Sequence, residues 1–360
     1  MYVLVVPKPK GEAAKKAIMA AGLLDKTRRI LKTQDCIEYP LKKRLTKGLM
    51  SGLLEPPSEG IRCEKRDEER QRPYVLEPIE NIKRELEGKG ISKRLLGKIP
   101  MKWEMVGDVL VLRFNKAIAP HKLVVAKAYK DELSAKAVLE ETGKVTGELR
   151  IPTMNVLLGS ETRTVHKENG ILYELDARTI LFSSGNVDER IRMGRLGPLE
   201  GETVVDMFCG IGYFTLPLAV YSRPKCIYSC EKNPESYSYL IKNIERNKVK
   251  DIVRPLLGDN RETAPEGVAH RIIMGYVGYT HEFLPKAMTV LRPEGGVIHY
   301  HETCPNELLP HRPNARLKQA CESSGRRLEI YKMRKIKSFA PGITHVVVDA
   351  RIGAMEVEND

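Results

Sequence analysis

The sequence predicts an α/β protein whose C-terminal half contains a doubly wound, largely parallel β-sheet. From about residue 180 onward, strand-like runs alternate with helix-patterned windows, the rhythm of βαβ units. One run leads into two glycines spaced by one residue, and a helical window follows. Only residues 335–343 separate the last two strand runs, so we expect the last strand to be antiparallel. Ligands of such sheets bind at the carboxyl ends of the strands.

We predict the elements of this region, residues 180–360, from apolar periodicity. The predicted strands are residues 203–208, 226–230, 253–257, 272–277, 296–300, 328–334 and 344–350. The predicted helices are residues 214–219, 235–247, 281–291 and 315–324.

Two further domains are expected before this region. Residues 1–61 predict a small basic domain, with strands at 2–7 and 36–41 around a helix at 11–21 in a βαβ-like arrangement. Residues 62–73 are almost all charged and lack apolar periodicity, which is typical of a linker or a solvated helix.

Residues 74–179 predict an α+β middle domain. Its expected elements are a strand at 109–114, a helix at 131–142 and a hairpin of 161–165 with 171–176. Asn169 and Gly170 lie in the turn of this hairpin, and Asn-Gly is a strong hairpin signal.

Charge and composition narrow the functional class. The chain has 360 residues and a net charge of +13, and residues 1–50 hold twelve Lys and Arg against four Asp and Glu. This local excess favours a polyanionic partner, nucleic acid before membrane, although a merely solvated surface is the alternative. No apolar run approaches the ~20 residues of a membrane span, and no signal peptide is evident. The seven cysteines form no Cys-x-x-Cys pair, so we expect reduced thiols and a cytoplasmic protein.

The strongest motif joins Asp206 to the glycine loop of Gly210 and Gly212, between a buried strand and a helix. Glycines allow a ligand to approach the backbone, and a helix N-terminus offers free N–H groups. The third glycine of the dinucleotide fingerprint is replaced by Thr215, which disfavours pyrophosphate binding. S-adenosylmethionine fits this loop better than NAD.

Acidic and amide side chains follow the next two strands. Glu231 ends the second strand, where a carboxylate can accept hydrogen bonds from both ribose hydroxyls. Asp259 and Asn260 follow the third strand, where a side-chain acceptor and a backbone N–H can read adenine. Each could be an ordinary turn by itself, but three in order at successive strand ends indicate an adenosine site.

Histidines cluster late in the chain. His299 and His301 share one face of a strand, with Glu302 adjacent, but the usual paired spacing of a zinc site is absent, so we predict no metal. Structural or substrate-facing roles and proton acceptance stay open for these histidines. The candidates for the proton acceptor are His281, His301 and Glu302.

Taken together, these motifs resemble the archaeal tRNA wybutosine-synthesising 3-amino-3-carboxypropyltransferases. The resemblance covers about residues 103–350 and includes the segments at 182–192, 206–217, 230–236, 258–261 and 299–302. Residues 1–50 are similar to the first domain of the tRNA guanine-37 N1-methyltransferases, which contacts the tRNA body.

The resemblance implies a class I methyltransferase (Rossmann-like) fold and S-adenosylmethionine as donor substrate. The implied reaction moves the aminocarboxypropyl group to C7 of 4-demethylwyosine at position 37 of tRNA-Phe and releases methylthioadenosine. It implies that Ser183 and Arg190 hold the donor together with Glu231, Asp259 and Asn260. The implied partner is tRNA-Phe, contacted at its anticodon loop and body.

Two alternatives stay open. A guanine-37 N1-methyltransferase would share the layout, but the fourth strand leads into Gly275, Tyr276 and Val277 instead of the Asn-Pro-Pro-Tyr-like motif of amino-methyltransferases. A non-catalytic tRNA-binding protein with a vestigial pocket is the other, and intact acids at Glu231 and Asp259 argue against it.

Overall fold

The computed structural model describes residues 2–25, 28, 30–33, 35–46, 48–50, 60–65, 78–143 and 147–355. The chain divides into two compact units, Met1–Asn81 and Ile82–Asp360. No described helix is long and apolar enough to cross a membrane.

The first unit contains a small sheet with the strand order β2-β3-β1-β4. Its elements are β1 (Tyr2–Pro7), α1 (Gly11–Ala20), β2 (Leu31–Lys32), β3 (Cys36–Leu41) and β4 (Arg62–Lys65). Leu4, Ala14 and Ile18 are buried where α1 covers the sheet. The predicted elements are confirmed, but β1 and β3 pair antiparallel, so the βαβ-like arrangement was wrong.

The charged segment at residues 62–73 was also misassigned at its start. Arg62–Lys65 form β4, which pairs antiparallel with β1 from Tyr2 to Val5. Cys63 packs against the small core in this strand. An edge strand needs few apolar side chains, which is why its charge concealed it. The rest of the expected linker, residues 66–73, lies outside the described residues.

The part of the chain from residue 78 to 158 forms helices and a second four-stranded sheet, ordered β5-β6-β7-β8. Its elements are α2 (Pro78–Gly88), α3 (Lys93–Leu96), β5 (Glu104–Val106), β6 (Val109–Leu112), α4 (Lys122–Glu132), β7 (Ala137–Glu141) and β8 (Met154–Leu158). This mixture of helices with parallel and antiparallel strands is the expected α+β character.

The helix predicted at residues 131–142 was wrong. α4 begins earlier, at Lys122, and ends at Glu132, just before Ser134, whose φ is +54°. Ala137, Val138 and Leu139 are fully buried in β7, which pairs parallel with β6. Burial in the sheet overrode the helical pattern of these residues.

The predicted hairpin is confirmed as β9 (Arg163–Glu168) and β10 (Ile171–Asp176). Both turn residues have positive φ, +47° at Asn169 and +80° at Gly170, as a tight hairpin turn requires. Asn243 bonds the backbone of Glu174 through its side chain, and Asn247 bonds that of Leu172. The predicted boundary at 179/180 stays a prediction.

The C-terminal region contains a seven-stranded sheet with the order β13-β12-β11-β14-β15-β17-β16. Its strands are β11 (Thr203–Asp206), β12 (Cys226–Glu231), β13 (Val253–Leu257), β14 (Arg271–Met274), β15 (Gly296–Pro305), β16 (Arg326–Ala340) and β17 (Ile343–Met355). The first five are parallel, and β17 is antiparallel to both neighbours, which confirms the predicted last strand.

Helices cover both faces of this sheet. They are α5 (Val187–Gly194), α6 (Thr215–Pro217) continuing into a π-helical turn (Leu218–Ser222), α7 (Pro234–Arg246), α8 (Asn260–Thr263), α9 (Leu284–Val290) and α10 (His311–Glu322). Successive residues of β11, Val204 and Val205, belong to two different apolar clusters because alternate side chains point to opposite faces. The sheet is therefore doubly wound, with strand ends at one edge free to form a site.

Candidate functional site

The glycine loop follows β11 and depends on two glycines. Gly210 has φ +57° and Gly212 has φ +102°, a region that L side chains rarely adopt. A Cβ at Gly210 would lie 2.6 Å from the Tyr213 ring, and one at Gly212 would lie 2.7 Å from Leu216 Cγ. The loop therefore folds tightly, with Gly212 buried and Gly210 partly exposed, so Gly210 is the glycine of this loop that a ligand can approach.

Asp206 lies beneath this loop and is fully buried. Its carboxylate accepts hydrogen bonds from the Thr215 hydroxyl at 2.8 Å and from the Phe208 N–H at 3.3 Å. Burial raises the pKa of Asp206 to about 7. The structure thus places Asp206 as a support of the glycine loop, whereas the sequence suggested a ligand contact.

Glu231 ends β12 beside the same loop. One carboxylate oxygen accepts the Gly210 N–H at 2.8 Å and the other accepts the Asn233 N–H at 2.7 Å. Burial raises the pKa of Glu231, while these backbone donors favour its ionised form. Each oxygen has a second lone pair, so the carboxylate can accept two further donors, as a ribose diol would supply.

Asp259 and Asn260 follow β13. Asp259 accepts from the Arg261 guanidinium at 2.9 and 2.6 Å and from Lys232 Nζ at 3.1 Å, and Arg261 holds its pKa well below the usual range. Asn260 is buried and donates to the Met207 carbonyl at 2.8 Å. Its Oδ1 is buried with no hydrogen-bond partner among the described residues.

An unpaired buried acceptor costs free energy unless a ligand supplies the donor. An exocyclic amine such as that of adenine matches the Asn260 acceptor, and a diol matches Glu231. The residues at these strand ends therefore fit an adenosine-containing molecule.

Ser183 and Arg190, the two donor-site residues implied by the resemblance alone, differ in their hydrogen-bond partners. Ser183 precedes α5, and its hydroxyl accepts a hydrogen bond from Lys337 Nζ at 2.7 Å. Arg190 is almost fully buried and forms a bidentate ion pair with Glu168 at 2.6 and 2.7 Å, with its guanidinium over the Phe182 ring. Arg190 thus joins α5 to the β9–β10 hairpin, and the structure does not show it as an open donor contact.

The loop after β14 approaches the glycine loop. The rings of Phe208 and Tyr276 stack with centroids 5.1 Å apart. Arg150 donates to the Val277 carbonyl at 2.6 Å, although residue 150 is distant in sequence. Sequence reasoning missed Arg150 because no local motif marks it.

His301 belongs to a buried group on the same sheet. Its Nδ1 lies 3.1 Å from His345 Nε2, and its ring is 5.2 Å from that of Phe214. Its Nε2 lies 3.7 Å from Glu189 Oε1, and this nitrogen and His345 Nδ1 have no hydrogen-bond partner in the described chain. Burial holds the pKa of His301 well below its ordinary value and lowers that of His345 to about 4.

Sequence reasoning missed His345 and Glu189. The only signal for His345 is cross-strand register, since it lies on β17 opposite Thr303 of β15, whereas Glu189 lies on α5 and has no such signal.

Glu302 was a candidate proton acceptor, and its contacts contradict that role. It is fully buried, and its carboxylate accepts from Arg312 at 2.9 Å, Arg316 at 2.5 Å and the Tyr300 hydroxyl at 2.5 Å. Breaking such a buried group of charges is strongly destabilising. Glu302 therefore anchors α10 to β15.

His281 lies apart from His301. It lines a cavity of about 710 Å³ with Leu284 and Met288 of α9 and Gln319 of α10. Burial lowers the pKa of His281, and its Nδ1 has no partner among the described residues. Within the described chain, no group of three or more His, Cys, Asp and Glu side chains could hold a metal ion.

Comparisons with known proteins assign the family. The TRM5/TYW2 methyltransferase domain matches residues 164–330, the TYW2 N-terminal domain matches residues 82–162, and the tRNA methyltransferase 5 N-terminal domain matches residues 4–48.

Three relatives show how far the likeness extends. A Methanocaldococcus jannaschii protein named tRNA(Phe) (4-demethylwyosine(37)-C(7)) aminocarboxypropyltransferase is 46% identical over 70% of this chain and 98% of its own length. The crystal structure of P. horikoshii TYW2 in complex with MeSAdo has a TM-score of 0.69, is 40% identical, and covers 75% of this chain and 98% of its own. Trm5b of Pyrococcus abyssi, a tRNA (guanine(37)-N(1))-methyltransferase, is 30% identical over 96% of this chain and 98% of its own length. The chain belongs to the TRM5/TYW2 family, among its aminocarboxypropyltransferases.

Proposed function

We propose that this protein transfers the 3-amino-3-carboxypropyl group of S-adenosylmethionine to C7 of 4-demethylwyosine at position 37 of tRNA-Phe. Methylthioadenosine is the by-product, and the product is an intermediate of wybutosine-type bases. The observation that carries this proposal is the adenosine-type site at three successive strand ends of a chain that spans nearly all of an aminocarboxypropyltransferase relative.

The donor supplies a sulfonium, which activates every carbon bound to it. In the transfer, C7 bonds to Cγ, the Cγ–S electron pair passes to sulfur, and the C7 proton leaves. The protein's task is therefore orientation of the correct carbon toward the base, which is a positioning effect.

Each donor-site residue has a proposed part in that positioning. Glu231 accepts the ribose hydroxyls, Asn260 Oδ1 accepts the adenine amine, and Asp259 adjoins it while paired to Arg261. The loop of Gly210 and Gly212, supported by Asp206, gives the donor access to the backbone. Ser183 contacts the donor from the turn that precedes α5.

For the proton, we propose His301 acting with His345. Both imidazoles are neutral at pH 7 because burial depresses their pKa values, and each has one nitrogen without a partner in the described chain. Glu189, which is ion-paired with Arg192 and lies 3.7 Å from His301, can stabilise a transient imidazolium. His281 stays an untested candidate.

The tRNA contacts divide between the two ends of the chain in this proposal. The basic domain of residues 1–61 holds the tRNA body, and the domain of residues 180–360 receives the anticodon loop; residues 74–179 form the middle domain. The excess of Lys and Arg in residues 1–50 supports this assignment. The cytoplasmic location expected from the cysteines stays a prediction.

The by-product tests the function. The protein is incubated with S-adenosylmethionine and tRNA-Phe bearing 4-demethylwyosine, and small molecules and tRNA are analysed by mass spectrometry. We expect methylthioadenosine and an equal amount of aminocarboxypropylated tRNA. S-adenosylhomocysteine, with either this tRNA or one carrying unmodified guanine-37, would support methyl transfer instead. Absence of donor binding would support the non-catalytic alternative.

A further inference from the structure

Two half-buried cations of the second unit, Arg150 and Lys337, donate to a backbone carbonyl and to a hydroxyl, respectively. Arg150 donates to the Val277 carbonyl, and Lys337 donates to the Ser183 hydroxyl at 2.7 Å. Neither forms an ion pair within the described residues, and both are half-buried. By contrast, Arg190 and Arg271 pair with Glu168 and Glu202, respectively. Withdrawing a cation from water without an anion is unfavourable, so these positions favour an anionic ligand.

The charges of both cations affect the same neighbour, His345. The pKa of Lys337 is lowered by burial and by the charge of Arg150, and the low pKa of His345 reflects burial and the charges of both. Glu104, the acid that acts on Lys337, is hydrogen-bonded to Ser184. The region is therefore positively charged overall.

The backbone conformation near Lys337 and at Arg150 accommodates both side chains. A Cβ at Gly185 would lie 2.9 Å from Lys337 Cδ, so glycine makes room where the lysine crosses the turn before α5. Arg150 has φ +54°, a left-handed conformation that is strained for a non-glycine residue. Such strain persists where the surrounding structure enforces it, and it is frequent at ligand sites.

The cations also flank the glycine loop. Val277 follows β14, the parallel neighbour of β11, and Tyr213 of the loop donates to the Leu181 carbonyl near Ser183. The adenosine acceptors lie instead at the ends of β12 and β13. A donor whose adenosine contacts Glu231 and Asn260 therefore has its amino-acid part on the side of Lys337.

We propose that Lys337, together with Ser183 and Arg150, holds the carboxylate of the donor's aminocarboxypropyl group. This inference deepens the proposed function and rests on it. Fixing the carboxylate fixes the direction of the chain from sulfur, so Lys337 is a positioning residue that selects which sulfonium carbon faces the tRNA base. Nothing in the adenosine contacts alone makes that selection.

Binding selectivity tests the proposal without catalysis. The full chain and its K337M, K337R and K335M variants are titrated calorimetrically with S-adenosylmethionine and with methylthioadenosine, which lacks the carboxylate. Lys335 is exposed on the same strand and is the matched control. We expect K337M to weaken S-adenosylmethionine roughly tenfold or more and methylthioadenosine less than about twofold, since only the former forms a charge-assisted hydrogen bond to Lys337. K337R should recover most of the affinity, and K335M should change neither.

Three outcomes would overturn the proposal. Equal weakening of both ligands by K337M would give Lys337 a structural role. Unchanged S-adenosylmethionine affinity with weaker tRNA binding would place a phosphate at this site. Unchanged selectivity in both K337M and R150Q, each checked for an intact thermal transition, would exclude carboxylate recognition by these cations. Failure of the proposed function can be distinguished from these outcomes, because the wild-type protein would then not release methylthioadenosine.

Discussion

The two units of the chain differ in how they accommodate positive charge. In the first unit, Lys42, Lys43 and Arg44 follow β3 in an exposed run and pair with no carboxylate among the described residues. In the second, arginines such as Arg190 and Arg312 are ion-paired with acids, whereas Arg150 and Lys337 are half-buried and form no ion pair among the described residues. An exposed unpaired run suits a large polyanion such as tRNA, whereas a half-buried unpaired cation suits one small anion.

The relatives follow the same division. The first unit contains the match to the tRNA methyltransferase 5 N-terminal domain, at residues 4–48. The second contains the matches to the TYW2 N-terminal and TRM5/TYW2 methyltransferase domains. The aminocarboxypropyltransferase relative aligns with 70% of this chain, whereas Trm5b aligns with 96%. Under our proposal that the first unit holds the tRNA, tRNA binding and the choice of the transferred group can vary separately.

The largest effect is expected at Glu231. Replacing it by alanine removes the acceptor of both ribose hydroxyls, and hydrogen bonds to a charged group contribute about 1.5–3 kcal/mol each, so donor affinity should fall by roughly 100-fold or more. Calorimetry with S-adenosylmethionine measures this, with Glu245→Ala, an exposed acid of α7, as control. Full donor affinity in a folded E231A protein would contradict the ribose assignment.

A smaller effect concerns the buried charge under the glycine loop. The pKa of Asp206 is about 7 in the fold, above the usual value of 3.8, so its contribution to stability is greatest at low pH and is lost as pH rises through 7. Relative to D206N, the wild-type free energy of unfolding should fall by about 2 kcal/mol between pH 5 and 7.

Urea denaturation at several pH values gives both curves for this comparison. A difference between wild type and D206N that does not vary with pH would show that Asp206 stays ionised.

The smallest effect concerns the exposed run. Changing Lys42, Lys43 and Arg44 to glutamine should weaken tRNA binding modestly and reduce its salt slope by about 1 for each phosphate that is no longer neutralised. Filter binding between low and moderate salt measures the slope, and donor affinity, expected to stay constant, is the control. An identical slope would mean that this run does not touch the tRNA backbone.

Much of the second unit was predictable from local sequence because each signal lies within a few residues. Asp206 and Gly210 mark the first strand end, and Asn169 with Gly170 marks the hairpin. Roles that depend on tertiary packing were not predictable. From the sequence, Glu302 is a candidate base; the structure shows that Arg312 and Arg316 neutralise its charge. Residues 137–141 were predicted to be helical, and only their burial in the sheet shows that they form a strand.

Arg150, Lys337 and His345 show the same limit for the site. Lys337 and His345 lie opposite each other on β16 and β17, but Arg150 is far from both in sequence, and only the fold brings its charge near them. No motif could have indicated them.

The central claim is that the first unit supplies tRNA affinity while the second binds the donor and selects the group transferred. The most direct measurement compares the full chain with residues 78–360 for tRNA affinity over a range of salt, with donor affinity and by-product recorded on both. We expect the shorter protein to bind tRNA more weakly with a flatter salt slope, to bind S-adenosylmethionine equally well, and still to release methylthioadenosine. An unchanged salt slope, or a change of by-product, would contradict the claim.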